Sequence, residues 1–438
     1  MIDILALLQC LTPVMKATLL RQLSRIILAL LAMTGRVTMV GISRWTGAGG
    51  SYRTVQRFFN TTVDWGQVHW LLFKTHLFQQ EASYILAGDE VVVTKAGQET
   101  HGLDRFFSSL FGKPVPGLAF FAFALVNVQT RTAHPVRIGQ VLRPEPVNAA
   151  VAVASAPPVA KPGRGRPKGS KNRNKADVTL SPYLSFILTL LQAVKQRLGT
   201  TLVVTYLVLD GAFGNHYALQ MVRRCDYHLL SKLAVNSALF FRYDGPYSGR
   251  GPHKKYGEKV NYANLPARYR QKSTTENGIC TEIYQFCALH KLFAQPLNVV
   301  IIVKTNLATG ARAHAILFSS DPDQSYEQII DYYTLRFQIE FNFRDAKQFW
   351  GLEDFMNIKE TPVTNAANLA FFMVNLSQIL RQRWQPKLPT FSVLDLKAHF
   401  RGLKYVAETL KLLPQPPEPF VIQHLSTQLA RLGAVNLS

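Results

Sequence analysis

Apolar residues recur at helical spacing near both ends of the chain and gather into short strand-like blocks in between. Residues 1–80 read as mostly helical, with Ile26–Met33 fitting a buried helix. Gly41–Trp45 and Ser51–Phe59 flank a glycine-rich turn at 47–50, with Ser51 placed to cap the second helix. Two short helices around such a turn fit a helix-turn-helix, or equally a helical packing domain with a basic surface. From Tyr84 the period changes. Tyr84–Ala87 is a short apolar run ending at Gly88-Asp89-Glu90, and Val91–Val93 follows. Leu118–Val128 and His134–Gln140 are further runs, and all read as strands separated by Pro/Gly turns. A helix over 183–197, a strand over 202–209 ending at Asp210-Gly211, a helix over 215–224 and a strand over 227–232 follow. That order predicts a mixed sheet with helices. Residues 233–324 break the order, with strands at 282–289, 297–304 and 314–319, and read as a β-rich insertion. Tyr326–Phe349 reads as one long helix, and 363–438 as helical with a break at prolines 414–419.

The chain has 438 residues, 47% of them hydrophobic, which is ample for real cores and excludes a disordered tail, a collagen or a disulfide-stapled mini-scaffold. Five segments are expected: 1–80, 81–232 with a flexible linker at 141–180, 233–324, 325–362 and 363–438. Lys and Arg outnumber Asp and Glu by 22 although only 17% of residues are charged. Such an excess predicts a polyanionic partner, nucleic acid or an anionic membrane. Cys10, Cys225, Cys280 and Cys287 form no Cys-x-x-Cys pair, so a zinc ribbon or a thioredoxin-type site is not indicated. They read as buried thiols of a reducing compartment. The start, MIDILALLQC, has no basic leader, and the uncharged stretch Pro114–Thr130 is too short to span a bilayer. A soluble, intracellular protein is expected.

Asp89 and Asp210 each follow an apolar run, where sites assemble in sheets with crossovers. An aspartate after a strand is also an ordinary turn former or helix cap. The long helix adds a constraint. With Tyr333 set at zero and about 100° per residue, Arg336, Glu340, Arg344 and Lys347 fall within about 60° of it. Leu335, Ile339, Phe343 and Ala346 make a separate apolar stripe. One face therefore packs on a core, and its neighbour presents one carboxylate ringed by cations and a phenol. Local ion pairs from Arg336 and Arg344 to Glu340 would account for that face. So would a metal-ligating Glu340 with Tyr333, Arg336 and Lys347 gripping phosphates, because cations beside a metal-binding carboxylate suit a polyanion lying over them.

Tyr333-x-x-Arg336-x-x-x-Glu340-x-x-x-x-x-x-Lys347 resembles, in identity and spacing, the YREK signature of bacterial insertion-sequence DDE transposases of the insertion-sequence-four-like group. Asp89 at the first strand, Asp210 at a later one and a β-rich segment before the Glu helix are similar too, over roughly 85–360. The resemblance implies an α/β, RNase H-like mixed-sheet catalytic core interrupted by the insertion and flanked by helical N- and C-terminal regions, the first binding DNA. It implies that Asp89, Asp210 and Glu340 are the catalytic carboxylates and hold Mg²⁺ or Mn²⁺, two ions about 3.5–4 Å apart, since carboxylate oxygens suit hard cations. The implied partners are double-stranded DNA, as element ends and target, and a second copy of the chain when two ends are paired. The implied reaction is nicking at an element's ends, then attack of the freed 3′-OH on target DNA, in a bacterial cytoplasm at the nucleoid. Tyr333 and Arg336 would hold a phosphate near the cleaved end, and Lys347 would contact end DNA. Relatives that flip a base against tryptophan in the insertion differ here. The tryptophans are 45, 65, 70, 350 and 384, leaving Phe240, Phe241 or Tyr243 to stack.

Two basic segments extend the picture. Lys161–Lys175 carries seven cations and no acid, and its Gly163-Arg164-Gly165-Arg166-Pro167-Lys168-Gly169 resembles an AT-hook. Arginines of such a core fill the narrow A·T minor groove, where negative potential is concentrated; a solvated basic linker would bind phosphates without selectivity. Lys232–Lys272 holds nine cations against Asp244 and Glu258, with Lys254 and Lys255 in its densest part beside Tyr256. Cations interleaved with tyrosine suit contact with a DNA backbone, or simply form an exposed basic hairpin. For the hook, replacing Arg164 and Arg166 together by Ala should weaken binding most at A·T-rich duplexes in low salt. Titrations over a salt series would retire the hook if affinity and salt slope stay unchanged.

Overall fold

The computed structural model describes residues 3–47, 49–108, 111–143, 175–247, 249, 251–384 and 390–436. The hook-like segment with Arg164, Arg166 and Lys168 lies outside the described residues. The fold is mixed α/β, and the chain divides into two compact units. The first comprises 1–140, 193–203 and 337–438; the second comprises 141–192 and 204–336.

At the centre of the first unit, β1 (Tyr84–Thr94) pairs antiparallel with β3 (Lys113–Asn127) along its whole length, from Tyr84 opposite Asn127 to Thr94 opposite Gly117. From Leu118 to Asn127 no residue of β3 is more than 2% exposed. Such continuous burial marks a strand covered on both faces, so no alternation of apolar and polar residues shows in its sequence. β2 (Asp104–Ser108) pairs antiparallel with the start of β3, and β4 (Thr132–Val141) also pairs β3. Asn127 ends β3 by accepting the amides of Gln129 and Thr130 at 3.0 Å.

Helices of both chain ends belong to this unit. They are α1 (Ile4–Leu7), α2 (Ala17–Ala32), α3 (Met39–Thr46), α4 (Tyr52–Phe59) and α5 (Trp65–His76). The α3–turn–α4 pair forms as expected, and Ser51 Oγ accepts the Thr54 amide as N-cap. The predicted buried helix is the second half of α2. After α6 (Pro182–Leu198), whose residues from Ala193 count with this unit, and α7 and α8 of the second unit come α9 (Gln338–Trp350), α10 (Glu360–Gln382), α11 (Val393–Leu410) and α12 (Pro419–Leu429). Ser392 and Asp395 form a capping box that starts α11. Cations of α11 close the C-terminus of α2: Lys397 Nζ donates to Leu30 O at 2.8 Å and Arg401 Nε to Ala32 O at 3.1 Å. These are carbonyls that an α-helix leaves without intrahelical partners.

By length and composition α10 would pass for a membrane span, with mean hydropathy 1.2 over its best window, which the expectation built on Pro114–Thr130 overlooked. That window is 89% buried inside the protein, so α10 is a core helix. Its amides fit that position. Asn375 Nδ2 donates to Pro135 O at 2.7 Å, and Gln378 bonds both Ala133 O and His134 Nδ1 on β4.

In the second unit β5 (Tyr206–Val208) pairs in parallel with β6 (His228–Leu233). β6 then pairs antiparallel with β12 (Arg312–Ser319), β12 with β11 (Leu297–Asn306), and β11 with β10 (Ile279–His290). β7 (Leu239–Arg242) and β9 (Arg270–Glu276) flank β10, and β8 (Tyr256–Lys259) pairs β7. The strands of 233–324 thus continue the sheet begun by β5 and β6. α7 (His216–Arg223) packs on β6, and α8 (Tyr326–Leu335) on β6, β11 and β12.

Three expectations are corrected. The strand expected over 202–209 is only Tyr206–Val208. Tyr84–Ala87 and Val91–Val93 are one strand, so Asp89 lies in its middle and not at its end. The long partner β3 and the β-branched Val91–Val93 carry the ladder through Gly88-Asp89-Glu90 despite its turn-like composition. The helix expected over 326–349 is two, interrupted at Arg336–Phe337, although Leu335, Ile339, Phe343 and Ala346 are all buried as expected.

One buried amide ties three helices of the first unit. Asn365 on α10 accepts Trp65 Nε1–H at 2.7 Å and donates to Phe59 O and Thr61 O at 2.7 and 2.8 Å. Asn365→Leu would leave an indole N–H and two carbonyls without partners and should cost about 2–4 kcal/mol of stability. Equilibrium denaturation checks this, and a loss below about 0.5 kcal/mol would show that water replaces the amide.

Candidate active site

Asp89 sits opposite Ala122 in the ladder, half-buried, with Oδ1 accepting the Glu90 amide at 2.8 Å. It is a polar interruption in a strand whose residues 84–88 are all buried. Glu340 lies half-buried in the first turn of α9, and α9 packs on β1. These two carboxylates therefore stand on neighbouring elements of one unit. α9 ends cleanly because Gly351 takes the left-handed conformation at φ +80°. A Cβ there would also meet Val37 Cβ at 2.3 Å, so only glycine lets the chain turn so close to that side chain.

Lys347, one helix face along from Glu340, is engaged inside the unit. Its Nζ donates to Val92 O on β1 at 2.8 Å and pairs with Glu353 Oε1 at 3.0 Å. A second lysine, Lys95, was not singled out from the sequence and completes this fastening. Its Nζ donates to Glu353 O at 3.0 Å and Phe355 O at 2.8 Å and lies 3.6 Å from the Phe355 ring centroid. Burial pulls its pKa down to about 8, against the opposing pull of Asp354. Its only signal in the sequence is a cation directly after a β-branched run. Arg344 is exposed, pairs with Asp345 at 3.0 Å and lies over the Phe341 ring.

The remaining expected residues belong to the second unit. Asp210 follows β5 and caps the 3₁₀ turn Gly211–Phe213, its Oδ1 accepting the Ala212 amide at 3.1 Å. Its carbonyl accepts Ser231 Oγ–H at 2.6 Å. The ordinary role of a cap is thus realised, and the side chain stays half-buried. Tyr333 on α8 and Arg336 at that helix's C-cap are half-buried, with the guanidinium 6.0 Å from the phenol ring centroid. Lys254 lies over Tyr243 at 4.7 Å and Lys255 near Tyr256 at 5.9 Å. The aromatic residues considered for base stacking all have neighbours: Phe241 stacks on Tyr269 at 5.3 Å, and Phe240 meets Tyr256 edge-on at 5.5 Å. Cys10, Cys225, Cys280 and Cys287 are all free thiols, although only Cys225 is fully buried.

Residues 6–283 match the family model described as DDE superfamily endonuclease. The chain belongs to the DDE superfamily of endonucleases. The match takes in β1 with Asp89 and β5 with Asp210, and it ends before α8 and α9. No curated protein matches the chain. The mixed α/β fold with its flanking helices is consistent with the RNase H-like fold of DDE nucleases. Family membership implies a DNA substrate and a divalent metal. The donor chemistry fits that requirement, because aspartate and glutamate offer hard oxygens. Among the described residues, no three His, Cys, Asp or Glu side chains are grouped closely enough to hold a metal ion.

The fastening of α9 to β1 generates a prediction for this DDE endonuclease. Lys347→Met should lower the unfolding free energy by about 1–2 kcal/mol by stripping Val92 O and Glu353 of their cation. Glu340→Gln, which keeps the side chain's shape and hydrogen-bonding oxygen, should cost less than Lys347→Met. Urea denaturation of both variants checks the contrast, and equal stability would mean that Lys347 does not tie the helix down.

Proposed function

We propose that the chain is a DDE transposase of the YREK-bearing, insertion-sequence-four-like group that cuts DNA at the ends of an insertion sequence and joins them to target DNA. The observation that carries the reading is a DDE-family chain in which Glu340 stands on a helix packed on the very strand that bears Asp89. Asp89 and Glu340 would hold the divalent ions, with Asp210 added as third carboxylate on the motif's resemblance alone; when bound, the ions supply Lewis-acid activation of a water or 3′-OH. The cut-and-paste outcome and the pairing of two copies at synapsis belong to this proposal.

Asp89 is held by a rigid two-sided ladder, so its carboxylate has little freedom to reorganise. Glu340 is positioned by the buried stripe of α9 and by Lys347 and Lys95 at its far end. Tyr333 and Arg336 offer a phenol and a guanidinium fork for a phosphate, the guanidinium matching phosphate oxygens in a bidentate manner. Lys347, Arg344, Lys254 and Lys255 add positive charge for the DNA backbone. A nuclease on the same fold that cuts without joining, or a binding-only protein descended from a transposase, would share these surfaces and differ in products.

The test is excision in cells of a marker flanked by the gene's native borders. Wild-type protein should excise it, and Asp89→Asn, Asp210→Asn and Glu340→Gln should each lose at least about a hundredfold of activity while still binding DNA. Excision that survives Glu340→Gln would refute the carboxylate assignment. Cleavage without joining would leave a nuclease.

A further inference from the structure

Away from the carboxylates, two arginines of the first unit meet over the start of α5. Arg137 comes from β4 and Arg197 from the last turn of α6. A Cβ built on Gly66, the second residue of α5, would lie 2.6 Å from Arg137 Nη1 and 2.8 Å from Arg197 Cζ. The two guanidinium groups therefore converge on one point, in space that exists because residue 66 has no side chain.

Their charges are not balanced. Asp64, the N-cap of α5, is the acid that faces them. Its Oδ1 already accepts the Gln67 amide at 3.1 Å and Arg197 Nη2 at 3.1 Å. Arg197 also donates to Ala193 O at 3.2 Å. Arg137 donates no hydrogen bond and closes no ion pair among the described residues, and the Nε atoms of both arginines are buried without a partner. Arg137 has its pKa lowered, first by burial and then by the facing Arg197, with the attraction of Asp64 opposing them. His69, directly behind in α5, is fully buried and held neutral, its pKa pushed down to about 3 by burial, so it adds no negative charge. A guanidinium carries five donors and cannot shed its proton, so holding two of them side by side, half-buried, with the one facing carboxylate already bonded to Arg197, favours a further anion. The N-terminus of α5 adds its partial positive charge at the same place.

We propose that Arg137, Arg197 and Gly66 frame a phosphate-binding site. A tetrahedral phosphate takes the fork of Arg137 and the free edge of Arg197, while Asp64 keeps Arg197 oriented. The chemistry is that of a phosphodiester of the DNA backbone or of a free phosphate. The first source rests on the function proposed above; the site itself does not.

The test uses the full-length chain with two variants. Arg137→Gln removes the unpaired cation. Gly66→Ala keeps both arginines, suits a helix, and puts a methyl where the two guanidinium groups meet, pushing them apart. Inorganic phosphate is titrated against chloride at matched ionic strength while the melting temperature is followed. The affinity for a labelled duplex is measured over a salt series. The parent should be stabilised by phosphate and both variants should not. If DNA is the source, Arg137→Gln should also reduce the slope of log affinity against log salt by about one. Lost phosphate response with an unchanged DNA slope upholds the site and assigns it to free phosphate. A reduced DNA slope without a phosphate response upholds it for the backbone alone. If neither variant changes either measurement, the proposal is overturned. Should Arg137→Gln fail to fold, Gly66→Ala carries both comparisons. A parent that binds no DNA defeats the function proposed above and leaves the phosphate titration to decide this one.

Discussion

The two-sided burial of the β1–β3 ladder is the constraint on which the first unit depends. A strand in which ten consecutive residues are at most 2% exposed needs apolar cover on both faces. That cover has to come from elsewhere in the chain, and the helices of residues 1–80 and 337–436 belong to the same unit. Asp89 gains from this arrangement. A carboxylate in the middle of a ladder paired on eleven consecutive positions cannot drift, whereas one at a strand end would move with its loop. The same ladder supplies the carbonyl, Val92 O, to which Lys347 fastens the helix of Glu340.

Covering a buried sheet with an apolar helix raises a second problem, because such a helix has no inherent register. α10 solves it with amides. Asn365 reads the end of α4 and the start of α5, while Asn375 and Gln378 read the backbone of β4. Each amide is satisfied only when the helix sits at one height and one rotation, so a wrong register leaves buried polar groups unpaired. This is also why a helix apolar enough for a bilayer packs inside a protein: its few polar atoms are matched to particular partners and not to lipid.

Much of this was legible in the residues, and the failures have physical causes. The stripe Leu335, Ile339, Phe343 and Ala346 was readable because burial on one face imposes a 3.6-residue period that survives a local break in the helix. The Ser51 cap was readable because it is a local bond between neighbours. The course of β1 through Gly88-Asp89-Glu90 was not, because it is decided by β3, some thirty residues on, and no local preference reports that partner. The interruption at Arg336–Phe337 was missed for a related reason. Both residues keep right-handed dihedrals, so nothing in their types marks the point where the hydrogen-bond ladder lapses. Of the candidate site, the residue types and spacing were visible, but the fastening by Lys95 and Lys347 rests on carbonyls that no sequence motif encodes.

The distribution of cations changes what the excess charge means. A surplus of 22 positive charges suggests a surface made for a polyanion, yet several cations of the first unit are turned to internal use. Lys95, Lys397, Arg381 and Arg401 each donate to a backbone carbonyl at the end of a helix or in a loop. Such bonds satisfy carbonyls without bringing a carboxylate into the interior, so each adds a positive charge to the whole while its donors are used inside the fold. Counting lysines and arginines therefore overstates the number of phosphate contacts to expect. The informative cations are those the fold leaves without a use of its own. Arg137 meets that description in the first unit, being half-buried, without a hydrogen bond among the described residues and beside a second guanidinium. A folding argument alone would replace it with a neutral residue. The phosphate site proposed above gives it a use, because an anion from outside would join Asp64 in balancing the two guanidinium groups.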